Sequence, residues 1–263
     1  MLTIRLLGEM AVLRGGDALA LPPSKKTRAL LAYLVATGRP QRRERLCSLL
    51  WEVPDDPRGA LRWSLSKLRA LVDEPEGGPA RILADREAVA FAPHGAACDL
   101  HDLRALAARP EALAAVPTDR LRAVAGAVGG EFLEGLDLPA QPDFQAWCVA
   151  EREDARRQHA AVLGALVARL SADGAAEEAL PHARRLVGLD GFDARSRAAL
   201  VGLLARAGRR EEAEQHLEAG TRLLQEAGLP DGDLVRAARD LRAAAARRRG
   251  RTSRPTPDRL RPR

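Results

Sequence analysis

The sequence has few aromatic residues, few cysteines and no long apolar run. Aromatics make up 3% of the 263 residues, yet apolar residues as a whole make up 46%, which is too high for a disordered chain. The three cysteines, Cys47, Cys98 and Cys148, are widely spaced and form no CxxC pair, which favours a reducing compartment. No apolar run approaches the roughly 18 residues that a membrane-spanning helix needs. We therefore expect a cytoplasmic protein, and its many Ala, Leu and Arg residues favour helices.

Signatures of catalysis, nucleotide binding and metal binding are also missing. The sequence contains no GxxxxGK[ST] phosphate loop, no Ser-His-Asp order and no pair of acids that stands out as catalytic. The histidines show no metal-ligand spacing: His94, His101, His159, His182 and His216. We therefore expect neither an enzyme nor a cofactor or metal site.

The net charge of +6 is unevenly distributed along the chain. Residues 1–92 carry +4, residues 93–246 carry −5 and residues 247–263 carry +7. Basic ends favour a polyanion as partner. Residues 247–263 have no periodic apolar face, so we expect a basic disordered tail that either adds non-specific DNA affinity or only aids solubility.

Residues 1–92 show the element order of a winged helix. Apolar alternation in residues 1–21 predicts strands, and Ser24 is a suitable N-cap for the helix that follows. A second helix is predicted over 42–51 and a third in the stretch 55–74, before two short apolar runs that indicate a hairpin around Asp85. In this architecture the third helix enters the major groove of DNA and the hairpin reaches the flanking backbone.

The third helix has an apolar face beside a basic face. The apolar positions recur at helical spacing and face the core: Leu61, Leu65, Leu68 and Val72. A neighbouring face carries the residues that we expect to contact DNA: Arg58, Arg62, Ser66 and Arg69. Lys67 lies farther round the helix, beside Trp63, and completes the expected set. The alternative is a solvated face whose arginines pair with nearby acids.

Further basic residues are expected to contact the DNA backbone or to lie on the wing. They are found at the starts of the first two helices and on the hairpin: Lys25, Lys26, Arg28, Arg42, Arg43, Arg81 and Arg86. Helix N-termini favour phosphate, and Arg86 is expected at the tip of the hairpin. Ordinary surface charge is the alternative for this set.

Residues 93–246 form a second predicted domain that contains an internal repeat. GAAEEALPHARRL begins at Gly174 and GRREEAEQHLEAG begins at Gly208, which is 34 residues later. This is the tetratricopeptide period, in which each unit is a pair of antiparallel helices. The expected fold class is therefore mainly α with a small β portion, with an N-terminal winged helix and a C-terminal tetratricopeptide-like helical repeat domain.

Two segments carry a resemblance to a known family. LLWEVPDDPRGALRWSLSKLRALVD, with its LW, acidic loop and arginine-bearing helix, resembles the activators of the Streptomyces antibiotic regulatory protein (SARP) group. GEFLEGLDLPAQPDFQAWCVAERE resembles the opening of the bacterial transcriptional activator domain that follows the winged helix in that group. The resemblance covers about residues 2–245. Unlike many longer relatives, this sequence shows no ATPase phosphate loop and no receiver segment before the winged helix.

The resemblance implies a sequence-specific transcriptional activator that binds promoter repeats in double-stranded DNA and recruits RNA polymerase at the bacterial nucleoid. It also implies a helical domain that either helps the protein to form a homodimer or contacts DNA and polymerase. In related winged helices the loop before the third helix can meet polymerase, which makes three acidic residues candidates for that contact: Glu52, Asp55 and Asp56. The alternative for this loop is a turn with capping aspartates. Two other functions stay open, a protein-interaction adaptor that uses the helical repeats and a fragment of a larger sensor-regulator.

Overall fold

The structure is a computed structural model that describes residues 1–51, 56–74 and 77–252, with the backbone alone described at residues 110, 244, 245 and 247–252. The strands are β1 Leu2–Arg5, β2 Ala11–Arg14, β3 Asp17–Ala18, β4 Gln41–Arg42, β5 Ile82–Ala84, β6 Ala88–Phe91 and β7 Ala97–Cys98. The helices are α1 Lys25–Thr37, α2 Arg43–Leu50, α3 Pro57–Val72, α4 Asp99–Ala107, a 3-10 helix Pro110–Ala115, α5 Thr118–Ala127, α6 Pro142–Ala172, α7 Ala176–Leu189, α8 Ala194–Arg206, α9 Arg210–Glu226 and α10 Gly232–Thr252.

A four-stranded sheet opens the chain in the order β3-β2-β1-β7. β1 and β2 are antiparallel, with Leu2 opposite Arg14, and the turn to β3 uses Gly15 and Gly16 at positive φ. β7 joins β1 in parallel, with Ile4 opposite Cys98. The sequence predicted the first three strands but not β7, because two residues are too few to show an alternation.

Three helices and a small sheet form the predicted winged helix. The Ser24 side chain caps α1 by accepting a hydrogen bond from the Thr27 amide, and Gly38 ends that helix at φ 61°. α3 begins at Pro57 and is capped by Asp56, which accepts a bond of 2.8 Å from the Gly59 amide. Apolar side chains and a buried hydroxyl pair join α1 to α3, with Thr27 Oγ1 lying 2.9 Å from Ser64 Oγ.

The wing is a three-stranded sheet in the order β4-β6-β5. β5 and β6 form the predicted hairpin, with Ala84 opposite Val89. β4, which the sequence did not reveal, pairs with β6 just before α2 begins, placing Arg42 opposite Ala88. The start of α2 is therefore attached to the wing by backbone hydrogen bonds.

The chain forms two compact units, residues 1–162 and 163–263. Residues 93–162 thus belong to the same unit as the winged helix, whereas the sequence placed a domain boundary after residue 92. The buried Asp99 carboxylate explains this, because it accepts hydrogen bonds of 2.8 and 3.0 Å from the amides of Leu6 and Leu7 in the first sheet.

The GEFLEGL segment, residues 130–136, also attaches to the end of β1. The Leu133 amide donates to the Leu6 carbonyl at 2.8 Å, and the Gly8 amide donates to the Glu131 carbonyl at 2.8 Å. Gly8 has φ 115°, and a Cβ atom there would lie 3.2 Å from the Gly130 nitrogen, so the close approach of the two segments requires glycine. Phe132 and Leu133 are buried by this pairing.

The second unit contains the predicted helical repeat. Gly174 and Gly208, at φ 75° and 79°, precede α7 and α9, and the equivalent Ala179 and Ala213 are both fully buried. α10 extends to Thr252, so its backbone is helical across 247–252, where a disordered tail was predicted. Arginine is a good helix former, and the first proline, Pro255, lies beyond the helix. Residues 253–263 of the predicted tail lie outside the described residues.

Candidate nucleic-acid interface

A groove of about 880 Å³ lies where the start of α2, the start of α3 and the tip of the wing meet. Five arginines line it: Arg42, Arg43, Arg58, Arg62 and Arg86. The acidic lining residues are Glu44, Asp56 and Glu87, so the ionised side chains of the groove sum to +2. Two helices also begin here, which adds the partial positive charge of their N-termini. The groove is therefore suited to an anion larger than a single phosphate.

Arg58 and Arg62 extend from the first turns of α3 with their guanidinium groups in solvent. Their side chains are 79% and 70% exposed. The nearest carboxylate oxygens are those of Glu44, 3.9 Å from Arg58, and Asp56, 4.0 Å from Arg62. Such long, exposed ion pairs contribute little energy, so either arginine can exchange its carboxylate for another anion.

The rest of the predicted α3 set divides between two surfaces. Ser66 is exposed and follows Arg62 by one helical turn. Arg69 is exposed but its Nε donates to the Ile82 carbonyl at 3.4 Å, which turns it toward the wing strand. Lys67 lies 5.4 Å from the centre of the half-exposed Trp63 ring, and both line a separate cleft with Pro22 and Pro23. Neither Arg69 nor Lys67 lines the arginine groove.

Arg81, which the sequence predicted to contact DNA, is buried in the structure. Its side chain is 6% exposed, and its Nη1 lies 2.8 Å from Glu74 Oε1 and 3.0 Å from the Val72 carbonyl. A buried, paired guanidinium at the end of α3 is not available to DNA. The helix C-terminus carries a partial negative charge and free carbonyls, which explains why an arginine is buried there.

Arg14 has a similar position that the sequence did not reveal. From strand β2 its Nη2 donates to the carbonyls of Leu71 and Asp73, each at 2.9 Å. Together Arg14 and Arg81 bind three consecutive carbonyls, 71 to 73, at the end of α3. The C-terminus of α3 is thus fixed to both sheets, while its N-terminus opens on the groove.

The wing tip is a two-residue turn in which Arg86 is exposed. Asp85 Oδ1 accepts hydrogen bonds of 2.7 Å from the amides of Glu87 and Ala88. These backbone donors, with the charge of Arg43, hold the pKa of Asp85 below its ordinary value. Arg43 donates from its backbone amide to the Glu87 carbonyl at 2.8 Å and from Nη1 to the Asp85 carbonyl at 3.0 Å.

Three predicted basic residues lie outside the groove, at the start of α1. Lys25 is exposed, whereas Lys26 and Arg28 are half-buried. Arg28 Nη2 lies 3.4 Å from the Pro23 carbonyl. Of the predicted acidic residues, Asp56 caps α3, which matches the capping alternative, and Glu52 and Asp55 lie outside the described residues.

The side-chain chemistry of the described residues adds few other candidate sites. Within residues 1–51, 56–74 and 77–252, no group of three or more His, Cys, Asp or Glu residues could hold a metal ion. No helix in that part of the chain is long and apolar enough to cross a membrane. Cys47 is half-buried in the groove, while burial raises the pKa of Cys98 and of Cys148 to about 12, which makes both thiols poor nucleophiles.

A winged helix with a basic groove, followed by a helical repeat unit, defines a class of bacterial transcriptional regulators. A comparison with protein families matches residues 98–242 to the bacterial transcriptional activator domain, and the chain belongs to this family. It is a transcriptional regulator of the SARP type, so the resemblance deduced from its two segments is confirmed.

Among solved structures, the chain is similar to that of Mycobacterium tuberculosis EmbR in complex with a low-affinity phosphopeptide. The TM-score is 0.66 at 22% sequence identity, and the match covers 93% of this chain and 69% of the EmbR chain. This likeness concerns the fold, and it confirms the predicted fold class. No curated protein matches the sequence.

Proposed function

We propose that this regulator binds double-stranded DNA in a sequence-specific manner through the arginine groove and activates transcription by recruiting RNA polymerase. The observation that carries the proposal is the convergence of five arginines and two helix N-termini on one groove. DNA affinity depends mainly on neutralised phosphates, and an exposed arginine can also read two acceptors of guanine.

In the groove and on the adjoining exposed face of α3 we propose different roles for different side chains. Arg58, Arg62 and Ser66 lie on the exposed face of α3, which is the element that enters the major groove in winged helices, so we propose that they read bases. Arg42 and Arg86 flank that face from the start of α2 and the tip of the wing, which suits contacts with phosphate. The rigid attachment of the α3 C-terminus supports this division, because base reading requires a fixed helix.

Three further features are part of the proposal. The match to an activator family supports polymerase recruitment, with the acidic loop before α3 as the proposed contact. Homodimerisation would allow binding to promoter repeats. A regulator that binds the bacterial chromosome would act in the cytoplasm at the nucleoid.

The test is a DNA-binding titration across salt concentrations, using the region upstream of the protein's own gene and a scrambled duplex. The variants are Arg58→Ala and Arg62→Ala, and the matched control is Arg120→Ala, which removes an equally charged, 51% exposed side chain from α5. A chain ending at Ala246 removes all eight arginines of the basic end together with the last six residues of α10. We expect a preference for one duplex that the two α3 variants lose and that the control and the shortened chain keep.

Other results would favour the alternative functions. Equal binding to all duplexes that disappears in the shortened chain would leave a basic tail on a protein-interaction adaptor. In the adaptor alternative, a protein partner would bind an open groove of about 750 Å³ between α9 and α10, where Val235 is 40% exposed. Absence of any DNA binding would favour a fragment of a larger sensor-regulator.

A further inference from the structure

Arg86 lies at the apex of the wing with both of its neighbouring peptide units held in place. The Asp85 amide closes the turn by donating to the Ala88 carbonyl at 3.1 Å, and the Asp85 carboxylate binds the next two amides. Within the described part of the chain, no hydrogen bond or ion pair engages the Arg86 guanidinium. The turn is therefore fixed while the side chain at its apex is free.

Arg43 holds the same turn from outside the hairpin. Its backbone amide binds the carbonyl that follows Arg86, and its guanidinium binds the carbonyl that precedes it. β4 pairs with β6 immediately before Arg43, which joins the start of α2 to the wing. One residue thus connects the helix that lines the groove to both sides of the exposed arginine.

We propose that Arg43 and Asp85 form a clamp that positions Arg86 for DNA, and that they are positioning residues rather than DNA contacts. This inference rests on the proposed function, since it concerns how one side chain of the same groove is aimed. It replaces the sequence-based expectation that Arg43 binds the DNA backbone. Arg43 Nη1 binds the Asp85 carbonyl, whereas no described residue binds the Arg86 guanidinium, so we expect Arg86 to supply the phosphate contact.

The direction in which one substitution changes the DNA affinity distinguishes a positioning role from a simple effect of charge. Asp85 is an exposed carboxylate beside a polyanion site, so its removal would raise DNA affinity if only charge mattered. The clamp predicts the opposite for Asp85→Ala, because the amides of Glu87 and Ala88 lose the oxygen that accepts their hydrogen bonds. Asp85→Asn retains Oδ1 as an acceptor and also removes the charge, so it is the matched control that keeps the turn.

The experiment is a double-mutant cycle in the full chain with the upstream duplex used above. We expect Asp85→Ala to weaken binding roughly 3- to 10-fold, Asp85→Asn to leave it unchanged or stronger, and Asp85→Ala to have less than about a 2-fold effect in the Arg86→Ala background. Arg43→Ala should show the same dependence on Arg86. A gain in affinity for Asp85→Ala, or losses that multiply with that of Arg86→Ala, would overturn the proposal.

A second measurement tests the clamp without DNA. Backbone NMR order parameters at Arg86 and Glu87 should be near 0.85 in the wild type and in Asp85→Asn, and should fall below about 0.6 in Asp85→Ala. Unchanged order in Asp85→Ala would overturn the clamp, even if DNA binding behaved as expected. If no variant, including Arg62→Ala, alters binding to any duplex, the proposed function is wrong, and the role of the clamp in DNA binding is wrong with it. The order parameters still decide separately whether Arg43 and Asp85 fix the turn.

Discussion

Arg81 and Arg86 stand at opposite ends of β5 and have opposite surroundings. Arg81 is almost fully buried between Glu74 and the end of α3, whereas Arg86 extends into solvent at the wing tip. A buried charge loses its hydration and must be compensated by its partners, while an exposed charge needs none. The same residue type therefore stabilises the fold at one end of the strand and is available to a ligand at the other.

Substitution of Arg81 should affect mainly the stability of the fold, and substitution of Arg86 should affect mainly DNA binding. We expect Arg81→Ala to lower the free energy of unfolding by about 3 kcal/mol, at the lower end for a broken buried pair because Glu74 stays partly hydrated. Arg86→Ala should change it by less than about 0.5 kcal/mol and should reduce the salt slope of DNA binding by about 0.9. Urea unfolding and the salt titration measure the two effects, and equal stability losses for both variants would contradict this assignment.

For individual residues, the sequence was sufficient to predict which side chains of α3 are buried. Helical spacing correctly separated the buried Leu61 and Leu65 from the exposed Arg58 and Arg62, because burial on a helix follows its period. It did not identify Arg81 as buried, since a guanidinium is hidden only when distant backbone carbonyls meet it. That information lies in the tertiary structure and not in local spacing.

At the scale of elements, Asp99 joins the first sheet to α4. Its carboxylate accepts from the amides of Leu6 and Leu7, and also from the Leu100 amide at 2.7 Å. Burial raises the pKa of Asp99 above its ordinary value of 3.8, and the backbone donors oppose that rise. One side chain thus satisfies three amides where β1 ends and α4 begins.

Replacing Asp99 should destabilise the first unit in a pH-dependent way. Asp99→Ala leaves three buried amides unpaired, and we expect a loss of about 3 kcal/mol in urea unfolding. Because the folded-state pKa lies above the unfolded-state value, the folded chain binds more protons in the interval between them. Wild-type stability should therefore fall relative to that of Asp99→Asn as the pH rises above about 4, until Asp99 is ionised in the folded chain. A relative stability that rises over this interval would contradict the raised pKa.

The family motif around Trp147 is explained at the same scale. Trp147 contacts Tyr33 of α1 edge-on, with ring centroids 4.7 Å apart, and its Nε1 donates to Glu151 at 3.1 Å. Glu151 also pairs with Arg104, which donates to the Ala36 carbonyl, and His101 donates to the Val35 carbonyl at 2.8 Å. The sequence pattern identified this motif, but its purpose of holding the end of α1 depends on contacts between distant segments.

At the scale of the whole molecule, the two compact units have different cores. The buried phenylalanines, Phe91, Phe132 and Phe144, all belong to residues 1–162. In the second unit the buried positions are mainly Leu and Ala, and its one phenylalanine, Phe192, is 51% exposed. A leucine or alanine side chain buries less apolar area than a phenylalanine does, so each buried side chain of the second unit gains less from the hydrophobic effect.

We expect this difference to produce two unfolding transitions. Trp51, Trp63 and Trp147 all lie in the first unit, so tryptophan fluorescence reports on that unit alone. Far-UV circular dichroism reports on the helices of both units, and its signal should begin to fall at a lower urea concentration than the fluorescence changes. Coincident curves from the two probes would instead indicate a single cooperative unit.

The overall order of elements was accessible from the sequence, whereas the division into units was not. Turn residues, the 34-residue repeat and helical periodicity predicted strands, three helices, a hairpin and a repeat domain in the correct order. Residues 93–162 pack with the winged helix in one compact unit because β7 and Asp99 join β1 through long-range pairing. The assignment of function to separate domains divided after residue 92 stays a prediction.

The firm attachment of α3 at its C-terminal end has an evolutionary consequence. Arg14 and Arg81 fix the helix through main-chain carbonyls, and buried leucines pack its inner face against the core. Neither the hydrogen bonds nor the leucine packing depends on which residues occupy positions 58, 62 and 66. Those three positions can therefore mutate at little cost in stability. A lineage could acquire a new set of target genes through a few point substitutions on this surface, while the scaffold that presents them stays unchanged.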